Sequence, residues 1–302
     1  MNQRRRILVT MESRATIGYS ANVIKAMLSD PAFEVTTLVT GMHMVAELGN
    51  TIELIQAEGF PVTAQVPMHA DSQNRSAWSV ALGNAIAGYA QAYEKIKPDI
   101  VLLSGDRVET FGCCVAAAYM GLPIAHIQAG DRSGHIDDAA RHAIGKFAHI
   151  HFAACEDSAQ RLLRMGEQGF RVFNVGAPQL DSIVGKDFRR SSVKINGLML
   201  DLGKPYLLLL QHPVLAEVED TEAQVAAAVE ACLESELMTV WIYPNSDPGY
   251  KKILKIVERN RQNPNLKFFQ NVDRDVYLTL LASCAALVGN SSSVILEAPS
   301  FR

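Results

Sequence analysis

Residues 99–127 read DIVLLSGDRVETFGCCVAAAYMGLPIAHI. The opening DIVLL and closing PIAHI are short, largely apolar runs, and residues 110–120 between them have the length and composition of a helix. Successive side chains of a strand point to opposite faces, so a strand that is apolar throughout is covered on both sides. That is the condition of a parallel sheet flanked by helices. The stretch therefore predicts a β–α–β unit, and with it an α/β fold.

The same alternation extends in both directions. Towards the N-terminus the pattern predicts a strand over residues 6–10, a polar loop over 11–19, a helix over 20–29 and a strand over 33–39. GMHM then leads into a helical stretch ending at residue 58, followed by a strand over 61–66 and a long helix over 77–95 closed by Pro98. Towards the C-terminus come a helix over 138–149, a strand over 151–154, a helix over 158–165 and a strand near 171–175. Residues 184–204 lose the apolar period and carry Lys186, Arg189, Arg190 and Lys194, so an inter-domain linker is expected there. A second alternating series follows, with strands over 206–211, 238–243, 266–269 and 286–288 separated by helices over 222–233, 250–259 and 273–283. The expected organisation is two Rossmann-like parallel-sheet domains, residues 1–184 and 185–302. A substrate would then sit in the cleft between them. The second domain stops without a closing strand or helix and reads as incomplete.

A chain of 302 residues fits two domains of roughly 100–200 residues each. With 48% hydrophobic residues, 20% charged residues and a formal net charge of -4, it has no footprint for nucleic-acid binding. No run approaches the about 18 apolar residues of a membrane span, and no signal-peptide pattern follows Met1, which implies no membrane partner and a cytoplasmic location. Cys113, Cys114, Cys155, Cys232 and Cys284 form no CxxC pair and read as buried thiols. There is no internal repeat.

In open parallel sheets ligands bind outside the carboxyl ends of the strands. That rule selects Arg14, His43, the GDRVET loop with Asp106, Arg107 and Glu109, and the acid-rich stretch HIQAGDRSGHIDDAARHAIGKFAH at residues 126–149. Asp106 could serve as a general base beside an anion-holding Arg107, or as a plain helix cap with a surface ion pair. Asp138, Arg141 and His142 stand at i, i+3 and i+4, a spacing that lets them share one helix face for acid–base work. His142, His149 and His151 lack the paired spacing of a zinc site, so no metal is expected. In the second domain, His212 ends a strand, and YPNSDPG, with Asn245, either adds to the site or is simply a turn. GNSSSVILEAPS at a strand-to-helix junction offers N–H groups and the hydroxyls of Ser291, Ser292 and Ser293 to an anion. Glu297 could accept from a ribose hydroxyl pair. No GxGxxG or P-loop motif occurs.

In this order and spacing, GDRVE, HIQAGDRSGHIDDAARHAI.K.AHIHF, YPNSDPG and GNSSSVILEAPSF resemble the hydrolysing UDP-N-acetylglucosamine 2-epimerases, including those that make sialic-acid and legionaminic-acid precursors. The resemblance runs from Arg6 to the end of the chain. It implies a glycosyltransferase-B architecture, a UDP-sugar substrate, no cofactor and a homodimer. It also implies that Asp106 and Asp137 are catalytic acids or bases and that His212 is an acid or phosphate contact. Arg14, His43, Arg107, His142, Asn245, Ser291, Ser292 and Glu297 would surround nucleotide and sugar, the serines at the diphosphate and Glu297 at the ribose.

Two positions depart from the pattern. Gln128 stands where several members have a catalytic glutamate, which leaves that role to Asp131 or dispenses with it. The first loop, SRATIGYS, reads as longer than the family's arginine loop. The implied reaction is loss of UDP to a glycal followed by addition of water. Its alternatives are a non-hydrolysing 2-epimerase, a glycosyltransferase-B transferase, or an inactive UDP-sugar-binding protein.

Overall fold

The computed structural model describes residues 4–68, 75–134 and 136–301. The chain divides into two compact units, the first built from Met1–Met44, Asn50–Ala70 and Ser76–Ser182, the second mainly from Ile183–Arg302.

In the first unit, strands and helices alternate as β1 (Arg5–Met11), α1 (Arg14–Ser29), β2 (Phe33–Thr40), α2 (Ile52–Ala57), β3 (Val62–Val66), α3 (Arg75–Ile96) and β4 (Ile100–Ser104). They continue as α4 (Val108–Tyr119), β5 (Ile124–Ile127), α5 (Ile136–Phe147), β6 (Ile150–Ala153), α6 (Glu156–Arg164) and β7 (Val172–Asn174). The strands form one seven-stranded sheet in the order β3-β2-β1-β4-β5-β6-β7. Every neighbouring pair in it is parallel. The apolar pattern of β1 and β4 explains the two-sided cover. Leu8, Val101 and Leu103 join a core with Tyr89, Tyr93 and Cys113. Their neighbours Ile7, Val9 and Leu102 join another with Ile17, Ile24 and Ile55. Burying each such aliphatic side chain contributes about 1.5–3 kcal/mol.

The second unit starts with the antiparallel pair β8 (Ser192–Ile195) and β9 (Leu198–Asp201), then β10 (Tyr206–Leu210), α7 (Thr221–Glu234), β11 (Met238–Ile242) and α8 (Tyr250–Asn260). It ends with β12 (Leu266–Phe269), α9 (Arg274–Ser283), β13 (Ala286–Gly289) and the single-turn α10 (Ser293–Leu296). Its four-stranded sheet runs β12-β11-β10-β13, all parallel. Ile195, Leu200 and Leu202 of the hairpin region are buried in one core with Leu208, Val240, Leu280 and Leu281.

Several expectations change. The loop expected over residues 11–19 is the end of β1 and the start of α1, so Arg14 opens a helix and SRATIGYS is not a long loop. Ser13 is its N-cap residue. Buried Gly18 and Ser20 lie inside this helix, and Ser20 Oγ meets Ser104 Oγ of β4 at 2.9 Å, so close packing on the sheet overrides weak helix propensity. The stretch expected as a linker holds the β8–β9 hairpin. Of the cysteines, Cys113, Cys114 and Cys232 are buried, but Cys155 is exposed and Cys284 partly so; all five are free thiols.

Candidate functional site

Both parallel sheets reverse their strand order beside their own first strand in the chain, β1 and β10, and each reversal opens a crevice at the carboxyl edge. In the first unit this point lies between β1 and β4. Asp106 follows β4 directly, behind Gly105. Arg141, on α5 and almost buried, ion-pairs with Asp106 through Nη2 and reaches Asp131, after β5, through Nη1 at 3.2 Å. One guanidinium thus binds two carboxylates from adjacent strand ends. Burial works against the charged form of Arg141, but Asp106 and Asp131 outweigh it and hold the arginine firmly protonated. Asp131 is fixed from its other side by the Ser158 hydroxyl at 2.6 Å. Arg161 of α6 donates to the Gly130 carbonyl at 2.7 Å, which anchors the same loop.

The expected grouping of Asp138, Arg141 and His142 on one face is divided. Arg141 turns to Asp106 and Asp131, whereas the Asp138 carboxylate accepts the Ser133 N–H at 2.7 Å and stands 3.8 Å from His142 Nε2. Asp138 therefore holds the loop that enters α5. Asp137, beside it in the first helical turn, is half-buried, and lies one turn before Arg141.

A second polar cluster begins at the residue after Asp106, Arg107. Arg107 Nε donates to the wholly buried Glu109 carboxylate at 3.1 Å. Gly41, with φ +59, makes room for Glu109: a Cβ there would come within 2.7 Å of its Oε1. His43 is buried, its Nδ1 is 2.7 Å from Thr51 Oγ1, and burial drives its pKa down to about 4, so the ring is neutral. Motif reading missed Glu12 at the end of β1. Its side chain is 1% exposed and accepts the Thr110 hydroxyl at 2.5 Å, and burial raises its pKa to about 8.

Gln128 takes a left-handed backbone, φ +59, at the end of β5 and is 2% exposed. Its amide donates to Gln179 Oε1 at 3.1 Å, so two neutral amides face each other inside the unit. His126, one turn of strand earlier, sits 2.6 Å from the Gly105 carbonyl through Nε2, and burial lowers its pKa to about 3. It supports the Gly105–Asp106 turn as a neutral ring.

In the second unit the reversal lies between β10 and β13. His212 and Asn290 clasp each other there: the His212 N–H donates to Asn290 Oδ1 at 2.8 Å, and Asn290 Nδ2 donates to the His212 carbonyl at 2.9 Å. Gly289, with φ +124, permits this approach, because a Cβ would lie 2.0 Å from the Leu210 carbonyl oxygen. The Asn245 N–H donates to His212 Nδ1 at 3.1 Å, which assigns the ring proton of a neutral His212 to Nε2 and makes that nitrogen a donor. Asn245 Nδ2 binds Asp247 at 2.6 Å.

The serine loop is structured by its own hydroxyls. Ser291 Oγ lies 2.9 Å from Ser293 Oγ, and Tyr277 donates to Ser293, which is buried, whereas Ser292 is exposed. Because α10 is four residues long, its dipole is small, and any anion contact rests on N–H groups and hydroxyls. Glu297 is 7% exposed and ion-paired to Arg274 of α9. Among the described residues no group of three or more His, Cys, Asp or Glu could hold a metal ion, and no helix is long and apolar enough to cross a membrane.

Two doubly wound sheets, each gathering ionisable and amide groups at its reversal point, define an α/β enzyme of the ligand-binding Rossmann kind. The profile of the UDP-N-acetylglucosamine 2-epimerase family matches residues 25–302. The UDP-N,N'-diacetylbacillosamine 2-epimerase (hydrolyzing) of Legionella pneumophila is 35% identical over 99% of this chain and 79% of its own length. The UDP-N-acetylglucosamine 2-epimerase of Neisseria meningitidis serogroup B is 30% identical over 98% of this chain and 77% of its own. The S. aureus MnaA–UDP co-structure superposes with a TM-score of 0.77 at 19% identity, over 98% of this chain and 77% of that one. The chain belongs to the UDP-N-acetylglucosamine 2-epimerase family.

Proposed function

We propose that this enzyme carries out hydrolysing epimerisation at C2 of a UDP-2-acetamido sugar, either UDP-N-acetylglucosamine or its 2,4-diacetamido-trideoxy analogue. What carries the reading is the likeness at 35% identity, over 99% of the chain, to an L. pneumophila enzyme named as hydrolysing. The Arg141-bound pair of carboxylates agrees with it.

The chemistry follows from the substrate. A C2 proton of a pyranoside has no neighbouring carbonyl to acidify it, so deprotonation alone is too slow. If the C1–O bond to UDP breaks as a carboxylate takes the C2 proton, a C1=C2 double bond forms and UDP leaves with the electron pair. Water then gives its hydroxyl to C1 while a proton adds to the opposite face of C2. The products are UDP and an N-acetylmannosamine-type sugar. In this reading Asp106 and Asp137 move the protons, with Asp131 fixed beside Asp106 by Arg141. Gln128 stands where the resemblance places a catalytic glutamate; its buried amide moves no proton, so that role passes to Asp131 or is dispensed with. His212 Nε2–H, Arg14, Arg107, Asn245, Ser291 and Ser292 bear the charge of the departing diphosphate, and Glu297 takes the ribose hydroxyls. His43, Glu109, His142 and Ser293 shape these groups from behind. The reading includes a cytoplasmic homodimer.

The test is release of free UDP from each donor sugar without an acceptor, for wild type and Asp106→Asn. UDP release by wild type and its loss in the variant are expected. An epimerised UDP-sugar without free UDP would point instead to non-hydrolysing epimerisation.

A further inference from the structure

A serine hydroxyl carries one proton and can accept two more, so alone it serves a ligand equally as donor or acceptor. In the loop after β13 the neighbours decide between these. The Tyr277 phenol on α9 donates to Ser293 Oγ, its one hydrogen-bond partner through the hydroxyl among the described residues. Ser293 is buried, and the acceptor within reach of its own proton is Ser291 Oγ at 2.9 Å. With the serine pair turned the other way, Ser291 donating, the Ser293 proton would be buried without an acceptor, an arrangement that folded proteins avoid. The Ser293 N–H also reaches Ser291 Oγ, at 3.4 Å. Both acceptor positions of the half-buried Ser291 are therefore filled from within the loop, and its proton is left to point outward. The loop is held at several points. Asn290, just before Ser291, exchanges two hydrogen bonds with the His212 backbone, and Arg274, one turn before Tyr277 on α9, ion-pairs with Glu297.

We propose that Tyr277 is a positioning residue: through Ser293 it sets the direction of a chain of hydroxyls, so that Ser291 meets its ligand as a fixed donor. The ligand is an oxygen of the diphosphate, so this role rests on the proposed function, in which Ser291 bears charge of the departing UDP. A hydroxyl that can turn suits a neutral group. One that is held as a donor suits an anion, because nothing has to reorient as negative charge builds on the leaving oxygens. The direction also adds strength. Hydrogen bonds in a chain polarise one another, and a phenol at the head of the chain makes each hydroxyl after it a better donor. Burial holds the Tyr277 phenol in its protonated, donating form. Tyr277 itself need not touch the ligand, since Ser293 stands between it and Ser291.

The experiment is a double-mutant cycle read by calorimetry, with UDP and with inorganic pyrophosphate as ligands. It compares wild type, Tyr277→Phe, Ser293→Ala and Ser291→Ala, and the first two substitutions each combined with Ser291→Ala; melting temperatures show that each variant is folded. Ser291→Ala should weaken UDP binding about tenfold, the size of a lost hydrogen bond to a charged group, and Tyr277→Phe and Ser293→Ala about threefold each. Once residue 291 is alanine, neither should weaken binding further, because the chain then ends on no donor. Losses that are equal with and without the Ser291 hydroxyl would mean that Tyr277 only braces the loop, and they overturn the proposal. Unchanged affinity in Tyr277→Phe and Ser293→Ala overturns it too. Ser293→Ala breaks the same chain and decides alone if Tyr277→Phe does not fold. If UDP does not bind to wild type but pyrophosphate binds and shows the same cycle, the hydroxyl chain stands and the nucleotide-sugar reading fails. If neither ligand binds, both fail; if UDP binds and the losses are additive, only the role of Tyr277 falls.

Discussion

Arg141 on α5 is ion-paired to Asp106 on the loop after β4, and the same guanidinium reaches Asp131 after β5. A planar fork can bind two carboxylates at once, whereas an ammonium is a single point charge. Arg141→Lys should therefore free one of the two acids while keeping the local charge. We expect kcat to fall about 10–100-fold with little change in KM, since the substitution misplaces proton-transfer groups rather than removing nucleotide contacts. Steady-state UDP release checks this; an unchanged kcat would mean that the shared arginine does not set the acid geometry.

His212 separates two roles by nitrogen. Its Nδ1 accepts the Asn245 N–H, leaving Nε2 as donor. Asparagine can imitate the Nδ1 position and glutamine the Nε2 position. His212→Asn should keep its melting temperature and lose about tenfold in UDP affinity, or about 1.4 kcal/mol. His212→Gln should bind UDP more tightly than His212→Asn but melt earlier. The reverse order in calorimetry would assign the phosphate contact elsewhere.

Gln128→Glu would put an acid in a position 2% exposed and facing the Gln179 amide oxygen. Gln179 must turn its amide to donate, and the carboxylate is still desolvated, so we expect a loss of roughly 1–3 kcal/mol at pH 7. Because burial raises the pKa of such an acid, the loss should shrink as pH falls. Equal melting temperatures for wild type and variant at pH 7 would show that the site accepts a charge.

The parallel strands were legible because burial on both faces writes itself into β1, β4, β5 and β10 as continuous apolar runs. Other features depend on partners remote in sequence. The start of α1 was hidden because Thr16, Ile17 and Gly18 are weak helix formers, and what stabilises them is packing on the sheet. The β8–β9 hairpin did leave a local sign, Asn196-Gly197, both at positive φ between alternating residues, a pattern typical of a two-residue turn. Among the candidate site residues, the motifs named Asp106, Asp131, Arg141, His212 and Asn245 but not which of them pair. Glu12 was missed because nothing next to it in the chain reveals that it is buried against Thr110, a residue 98 positions away.

Stability should pass through a maximum near pH 6.5. His43 and His126, with folded values of about 4 and 3, bind fewer protons than in the unfolded chain, so their contribution is present above pH 6.5 and is lost as pH falls. Each is worth on the order of 3–5 kcal/mol. Glu12, raised from 4.5 to about 8, acts in the opposite sense: its contribution is present below pH 4.5 and lost as pH rises through 8. The lowered histidines, His151 among them, outweigh one acid below pH 6.5; from there to pH 8 the acid dominates, and the buried thiols add to its effect at higher pH. Chemical denaturation at a series of pH values checks the shape; stability rising steadily from pH 6.5 to 8 would contradict it.

The reaction itself is tested most directly by proton NMR of the enzyme with UDP-N-acetylglucosamine, and separately with the 2,4-diacetamido-trideoxy analogue, in heavy water. The account predicts, for at least one donor, free UDP and a released 2-epimeric sugar carrying one deuterium at C2. A 2-epimeric sugar still attached to UDP, or a released sugar with its original C2 proton, would contradict it.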